Sequence, residues 1–323
     1  MQLPANEFCR SHATILRRNE FMFYRLRRNI AYFKFHRQIP RLLTTPPIQV
    51  KDAPFTIVSM VAGYDVRLYL LAIKALYRRL GRGKITIVAD GISEKSRDLI
   101  RRHISQVNFV PLESISTGRI QRGGTWERLL YCLDLSASEY VLQMDADILC
   151  VGPLPEVIES IAANRPFTLA EGIHKKPLNS WVEDAIARKS DNVVTDFEMK
   201  GPTYPDAGQV LYVRGSSGFT GFAQGAVNRA FVEDFYDKAS IMMGPRWKEW
   251  GTEQIASNFC IANSAGSFDL PKPKYMSWER QTVPADVSLL HFLGYCRFDQ
   301  GLLVRLANLE IDALLGGASC CQT

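Results

Sequence analysis

Tyr140–Leu154 reads YVLQMDADILCVGPL. Its first five residues have the apolar character of a strand buried on both faces, as in a parallel sheet covered by helices. That strand runs straight into Asp145-Ala146-Asp147, and a Val151-Gly152-Pro153 turn follows. Open parallel sheets bind ligands beyond the carboxyl ends of their strands. Two carboxylates one residue apart at such an end can hold a divalent cation, and oxygen ligands of this kind suit Mg²⁺ or Mn²⁺ with positions left for phosphate oxygens. The competing reading is a solvated acidic turn, because a bare DxD arises often by chance. The apolar strand before the pair and the turn after it favour a site.

Working upstream, strand and helix signals alternate. Phe55–Ala62 (FTIVSMVA), Lys84–Asp90 (KITIVAD) and Val107–Leu112 read as strands, and Val66–Leu80, Ser93–Ile104 with a serine cap, and Trp126–Leu135 read as helices. Short apolar strands separated by helices predict an α/β fold with a mostly parallel central sheet and helices on both faces. Downstream of Pro153 the order loosens. A helix is expected over Glu156–Ala163, short strands over Phe167–Ala170 and Val210–Val213, and helices over Val227–Lys238 and Thr252–Ala262. No internal repeat or low-complexity tract interrupts the pattern.

The 323 residues are 46% hydrophobic and 22% charged, which excludes disorder, collagen and coiled coil. No run approaches the roughly 18 to 20 apolar residues of a membrane-spanning helix, and the arginine-rich start has no signal-peptide apolar block. Seven cysteines at irregular spacings, without a CxxC pair, suit a reducing compartment. The net charge of +6 is unevenly placed: residues 1–53 hold ten Lys/Arg against three acids, so the remaining 270 residues carry −1. The basic character belongs to an N-terminal arm. Residues 1–45 are therefore expected to form a basic amphipathic arm, 46–54 a proline-containing linker, and 55–323 the main domain. Within the arm a helix is expected over Ile15–Phe35, with Ile15, Met22, Leu26, Ile30 and Phe33 on one face. It either packs on the domain or attaches peripherally to an anionic membrane surface. The expected location is cytoplasmic.

In sum of motifs the chain resembles the retaining glycosyltransferases of the GT-A fold that include glycogenin and the bacterial lipopolysaccharide galactosyl- and glucosyltransferases. The resemblance spans roughly Phe55 to Phe298. VADGIS (Val88–Ser93) is similar to the family's second strand, Arg128-Leu129 in TWERLLYCLDL to the basic residue that reaches the nucleotide, and Asp145-Ala146-Asp147 to the DxD. Glu253-Gln254 in WGTEQIASNF stands where the family has Asp-Gln, and His291-Phe292-Leu293-Gly294-Tyr295-Cys296-Arg297 is similar to its HxxGxxK segment. The family's Asn-x-Gly segment is matched to Ala223-Gln224-Gly225, with the amide shifted by one.

The resemblance implies a metal-dependent hexosyltransferase that moves a sugar, with retention, from a nucleotide diphosphate sugar, UDP-linked by family habit, to a glycan, lipid or protein acceptor. Asp145, Asp147 and His291 would hold Mn²⁺ or Mg²⁺. Arg128, Gly294 and Arg297 would bind the nucleotide, and Gln254 and Glu253 would act at the donor sugar. A nucleotide diphosphate leaves readily only when its developing charge is met by a cation and fixed donors. Trp247 and Trp250 are acceptor-site candidates, against core packing as the ordinary fate of tryptophan. Two other classes compete: an aspartate-nucleophile phosphotransferase of the haloacid dehalogenase kind, and a catalytically degenerate GT-A domain that binds carbohydrate or a partner. The first places its DxD after the first strand, whereas this one follows the fourth. An acid-balanced body argues against a nucleic-acid track.

Overall fold

The computed structural model describes residues 28–316. Its strands, in chain order, are β1 (Phe55–Ala62), β2 (Lys84–Asp90), β3 (Asn108–Pro111), β4 (Tyr140–Met144), β5 (Ile148–Cys150), β6 (Phe167–Ala170), β7 (Lys176–Pro177), β8 (Leu211–Tyr212), β9 (Gly215–Phe222), β10 (Phe268–Asp269), β11 (Tyr275–Trp278) and β12 (Leu289–Phe292). Helix α1 covers 28–38. It is followed by α2 (Val66–Leu80), α3 (Glu94–His103), α4 (Trp126–Ser136), α5 (Pro155–Ala162), α6 (Val182–Arg188), α7 (Val193–Lys200), α8 (Arg229–Met243), α9 (Thr252–Ala262) and α10 (Leu302–Gly316).

Seven strands form the central sheet in the order β10-β6-β9-β4-β1-β2-β3. β1 to β4 run parallel to one another, β10 runs parallel to β6, and β9 is antiparallel to both its neighbours, β4 and β6. The expected mostly parallel α/β sheet is therefore present. β1, β2, β4, α2 and α9 have the bounds their periodicity predicts. Ser93 caps α3 by accepting the Ser96 N–H, and α2 stops at Gly81, whose φ of +71° suits glycine.

β9 is the strand that periodicity misses. GSSGFTGF lacks the β-branched apolar residues that announce a strand, yet all eight residues are buried between β4 and β6. Its glycines are there because neighbours approach too closely for a side chain. A Cβ on Gly221 would collide with the Tyr140 hydroxyl and stand 2.6 Å from the Phe167 ring, and one on Gly215 would stand 2.8 Å from the Leu169 carbonyl oxygen. The direction of β9 also corrects the assignment of the amide segment. Phe222 pairs with Val141 at the start of β4, so Ala223-Gln224-Gly225 emerges at the sheet edge opposite Asp145, where Gly225 N–H donates to the Ser136 carbonyl. The strand expected over 210–213 shrinks to Leu211–Tyr212, which pairs with β7 in a separate two-stranded sheet.

Contacts divide the described chain into two compact units, one made of residues 47–278 and 282–291, the other of 28–46, 279–281 and 292–316. The first contains the central sheet and an aromatic core in which Trp247 lies 6.3 Å from Trp126 and 5.8 Å from Phe235, ring centre to ring centre. In the second, α1 buries Ala31 and Phe35, and the 3₁₀ turn after it buries Ile39 and Leu42. Phe35 and Tyr32 meet the Phe298 ring, Gln38 accepts from Asn308 and Arg41 pairs with Asp312. This buried face differs from the expected one, since Ile30 and Phe33 are exposed; Ile15, Met22 and Leu26 lie outside the described residues. No helix among the described residues is long and apolar enough to cross a membrane.

His103, at the end of α3, is buried in the first unit. Burial first, and then the positive charges of Lys74 and Arg102, push its imidazole down to about 4. A histidine in the unfolded chain titrates near pH 6.5. Between these values the unfolded chain takes up a proton that the folded chain refuses, so this group costs stability as pH falls. From pH 7 to pH 5 the loss should be about 2 kcal/mol. Chemical denaturation at both pH values should show a His103→Gln protein losing less by about that amount; equal losses in the two proteins would show that His103 does not titrate this way.

Candidate active site

The turn between β4 and β5 carries Asp145 and Asp147. Asp145 N–H donates to the Gly218 carbonyl of β9 at 2.8 Å, and its own carbonyl accepts from Ile148 at 3.3 Å, which fixes the turn. β12 then pairs antiparallel with β5, with His291 opposite Ile148. This register sets the imidazole beside the aspartates; a slip of one residue would turn it to the other face. Its Nε2 lies 3.2 Å from Asp147 Oδ1 and 3.8 Å from Asp145 Oδ2. One donor atom from each of the three residues falls within a 4.8 Å cluster.

That donor set fits a divalent cation. With bonds of about 2.1 Å, adjacent ligands of an octahedral ion stand about 3 Å apart, close to the separations here. Asp147 and His291 are buried and Asp145 is partly open, which leaves the cluster a wet side.

Arg128, on the first turn of α4, is buried and reaches both acids: its guanidinium pairs with Asp145 and lies 3.6 Å from Glu253. Glu253 is also buried. Its Oε2 accepts from Thr125 Oγ1 at 2.7 Å and from Ser217 Oγ at 3.0 Å, and it stands on the first turn of α9, where the helix dipole favours an anion. Thr125 makes this contact from a left-handed backbone, φ +73°, a conformation that costs a β-branched residue of order 1–3 kcal/mol. Gly123 and Gly124 before it are also at positive φ. The GGT turn is thus wound to deliver a hydroxyl to Glu253.

Of the residues singled out from sequence, Asp145, Asp147, His291, Arg128 and Glu253 come together in the sheet-containing unit. Gln254, next to Glu253, is only partly buried. Gly294 and Arg297 belong to the other unit. Gly294 has no left-handed backbone, and a Cβ there would meet only the Arg297 guanidinium, at 3.9 Å. Trp247 is core, and Trp250 is 80% exposed. Sequence reading missed Thr125, Ser216, Ser217 and Gly218. The Ser216-Ser217-Gly218 run lies against Asp145, whose N–H donates to the Gly218 carbonyl.

The structure is similar to those of known glycosyltransferases. The galactosyltransferase LgtC in complex with donor and acceptor sugar analogs matches 79% of this chain and 95% of its own, at 12% identity and a TM-score of 0.50. An active-site mutant of LgtC matches 80% and 95%, at 12% identity and a TM-score of 0.51. The apo form of the glycosyltransferase GlyE from Streptococcus pneumoniae TIGR4 matches 82% of this chain and 62% of its own, at 13% identity and a TM-score of 0.51. No family model matches the sequence, and no curated protein is detectably similar to it. At such identities the likeness is one of fold, and the fold is GT-A.

Breaking a buried ion pair from one side strands the other charge, at a cost of about 3–5 kcal/mol. Arg128→Met should lower stability by that order in urea denaturation, and adding Glu253→Gln should recover part of it. A double variant no more stable than the single one would show that Arg128 does not serve to neutralise Glu253.

Proposed function

We propose that this chain is a metal-dependent glycosyltransferase that moves a hexosyl group from a nucleotide diphosphate sugar to a glycan or lipid-linked acceptor. The observation that carries the reading is the meeting of Asp145, Asp147 and His291 at the carboxyl end of β4 in a GT-A fold. A divalent cation held there supplies positive charge to the leaving diphosphate. An imidazole among the ligands favours Mn²⁺ over the oxygen-preferring Mg²⁺. By resemblance the nucleotide is uridine, and Arg297 is assigned to phosphate charge.

Arg128 keeps Asp145 in place and, braced by Glu253 and Ser217, holds a fixed positive charge at the edge of the site. Glu253 thus works first through Arg128, with the donor sugar as the partner that resemblance adds. Gln254 is the residue we assign to the anomeric carbon, where its amide oxygen would meet developing positive charge. By resemblance the transfer proceeds with retention, the diphosphate taking the proton of the acceptor hydroxyl. A degenerate binding domain would have no reason to keep three metal-ligand side chains converged, which favours the enzyme.

The test is donor turnover. Incubated with UDP-hexoses and Mn²⁺, the protein should release UDP slowly without acceptor, and chelator or Asp147→Ala should reduce the rate at least 100-fold, as expected when a cation stabilises the leaving group by about 3 kcal/mol. An α-configured donor should give an α-linked product by proton NMR. Turnover unaffected by chelator would end the metal assignment, and a β-linked product would end retention.

The arm is assigned to a membrane surface. α1 docks through Ala31 and Phe35, and its other side exposes Ile30 and Phe33 beside Lys34 and Arg37. Apolar side chains ringed by basic ones suit an anionic bilayer. Phe33→Glu should weaken co-sedimentation with vesicles containing phosphatidylserine while leaving UDP release unchanged; equal sedimentation with neutral vesicles would argue against this attachment.

A further inference from the structure

We infer that Ser216 is a positioning residue for the metal ligand His291, fixing which ring nitrogen faces the aspartates. The inference rests on the metal-dependent reading above. Ser216 Oγ lies 2.8 Å from His291 Nδ1 and accepts the Gly218 N–H at 3.1 Å. The hydroxyl is thus tied to backbone on one side and imidazole on the other, and all three residues are buried. Gly218 supplies the floor: a Cβ there would stand 2.6 Å from His291 Cε1 and 2.9 Å from each ring nitrogen. The ring therefore lies flat on bare backbone and is held at its far edge by one side chain.

This arrangement settles the orientation of the ligand. A histidine binds a cation through a lone pair on one nitrogen while the other carries the proton, and a partner for that N–H selects the tautomer and the ring angle. With Nδ1–H donated to Ser216, the lone pair of Nε2 points at the space shared with Asp145 and Asp147. When Nε2 instead carries the proton toward Asp147, at 3.2 Å, the hydroxyl can donate to Nδ1. A hydroxyl can serve both tautomers, whereas a carboxylate or carbonyl can only accept. His291 can take up a cation without turning its ring. Alternation along β9 gives the next residue, Ser217, to the Arg128 and Glu253 side, so two adjacent serines serve the two halves of the site.

The test is Mn²⁺ binding to the full chain, followed by electron paramagnetic resonance of free ion, together with ¹⁵N NMR of the His291 ring. Ser216→Ala should weaken Mn²⁺ roughly 10- to 100-fold, the usual effect of losing such a partner. It should also move the ¹⁵N signal of Nδ1, the ring nitrogen that loses its hydrogen-bond partner, a change at one nitrogen that mere loosening of β9 would not produce. Ser216→Thr, which keeps the hydroxyl, should restore both. Wild-type binding with Ser216→Ala equal to it, or an unchanged Nδ1 signal, overturns this inference alone. A wild-type chain that binds no Mn²⁺ overturns the metal centre and this inference with it.

Discussion

Everything at the candidate site depends on how closely the backbone of β9 can lie against its neighbours. At Gly221 the strand passes under Tyr140 and Phe167, and at Gly218 under His291, with no room for one more carbon at either place. Because the sheet closes there, the Gly218 carbonyl can hold the amide of Asp145. The two serines between these glycines and the start of the strand then project to opposite sides, one to the imidazole and one to the buried ion pair. A strand of larger residues would push β4 and β12 apart and separate the carboxylates from the histidine.

The buried charges follow from the same closeness. Arg128 and Glu253 are removed from water, and desolvation on that scale is tolerated only with strong partners. Thr125, Ser217 and Asp145 provide them. The left-handed threonine shows that local backbone comfort is given up to complete the set. A cluster whose polar groups are fixed in advance has little rearranging to do when it admits a cation.

Much of this was legible in the chain itself. The parallel β/α half could be read almost to the residue, because buried strands such as FTIVSMVA and helices such as VRLYLLAIKALYRRL follow their periods without interference. Asp145-Ala146-Asp147 was legible because an apolar strand leads into it, and His291 because of its resemblance to a known segment. β9 was not, since its sequence answers to neighbours distant along the chain and carries no period of its own. The same cause misplaced Ala223-Gln224-Gly225: the segment matches in composition, but the strand before it runs the other way. Trp247 could not be separated from Trp250 by sequence, since only packing decides that one fills a core with Trp126 and the other stands in solvent.

The placing of His291 and of α1 also bears on the order in which the protein can be assembled on the ribosome. The carboxylates are made 146 and 144 residues before the imidazole that joins them, and α1 waits longer still for the Phe298 ring, Asn308 and Asp312. A nascent chain that has reached residue 278 already contains most of the central sheet's unit yet has an incomplete metal cluster and an unaccompanied first helix. Its apolar side chains Phe35, Ile39 and Leu42 are then without the C-terminal segment that accompanies them in their unit. The interval between the first helix and the last is therefore one in which apolar side chains await their segment, and a chain cut before residue 291 would lose the imidazole and the C-terminal helix together.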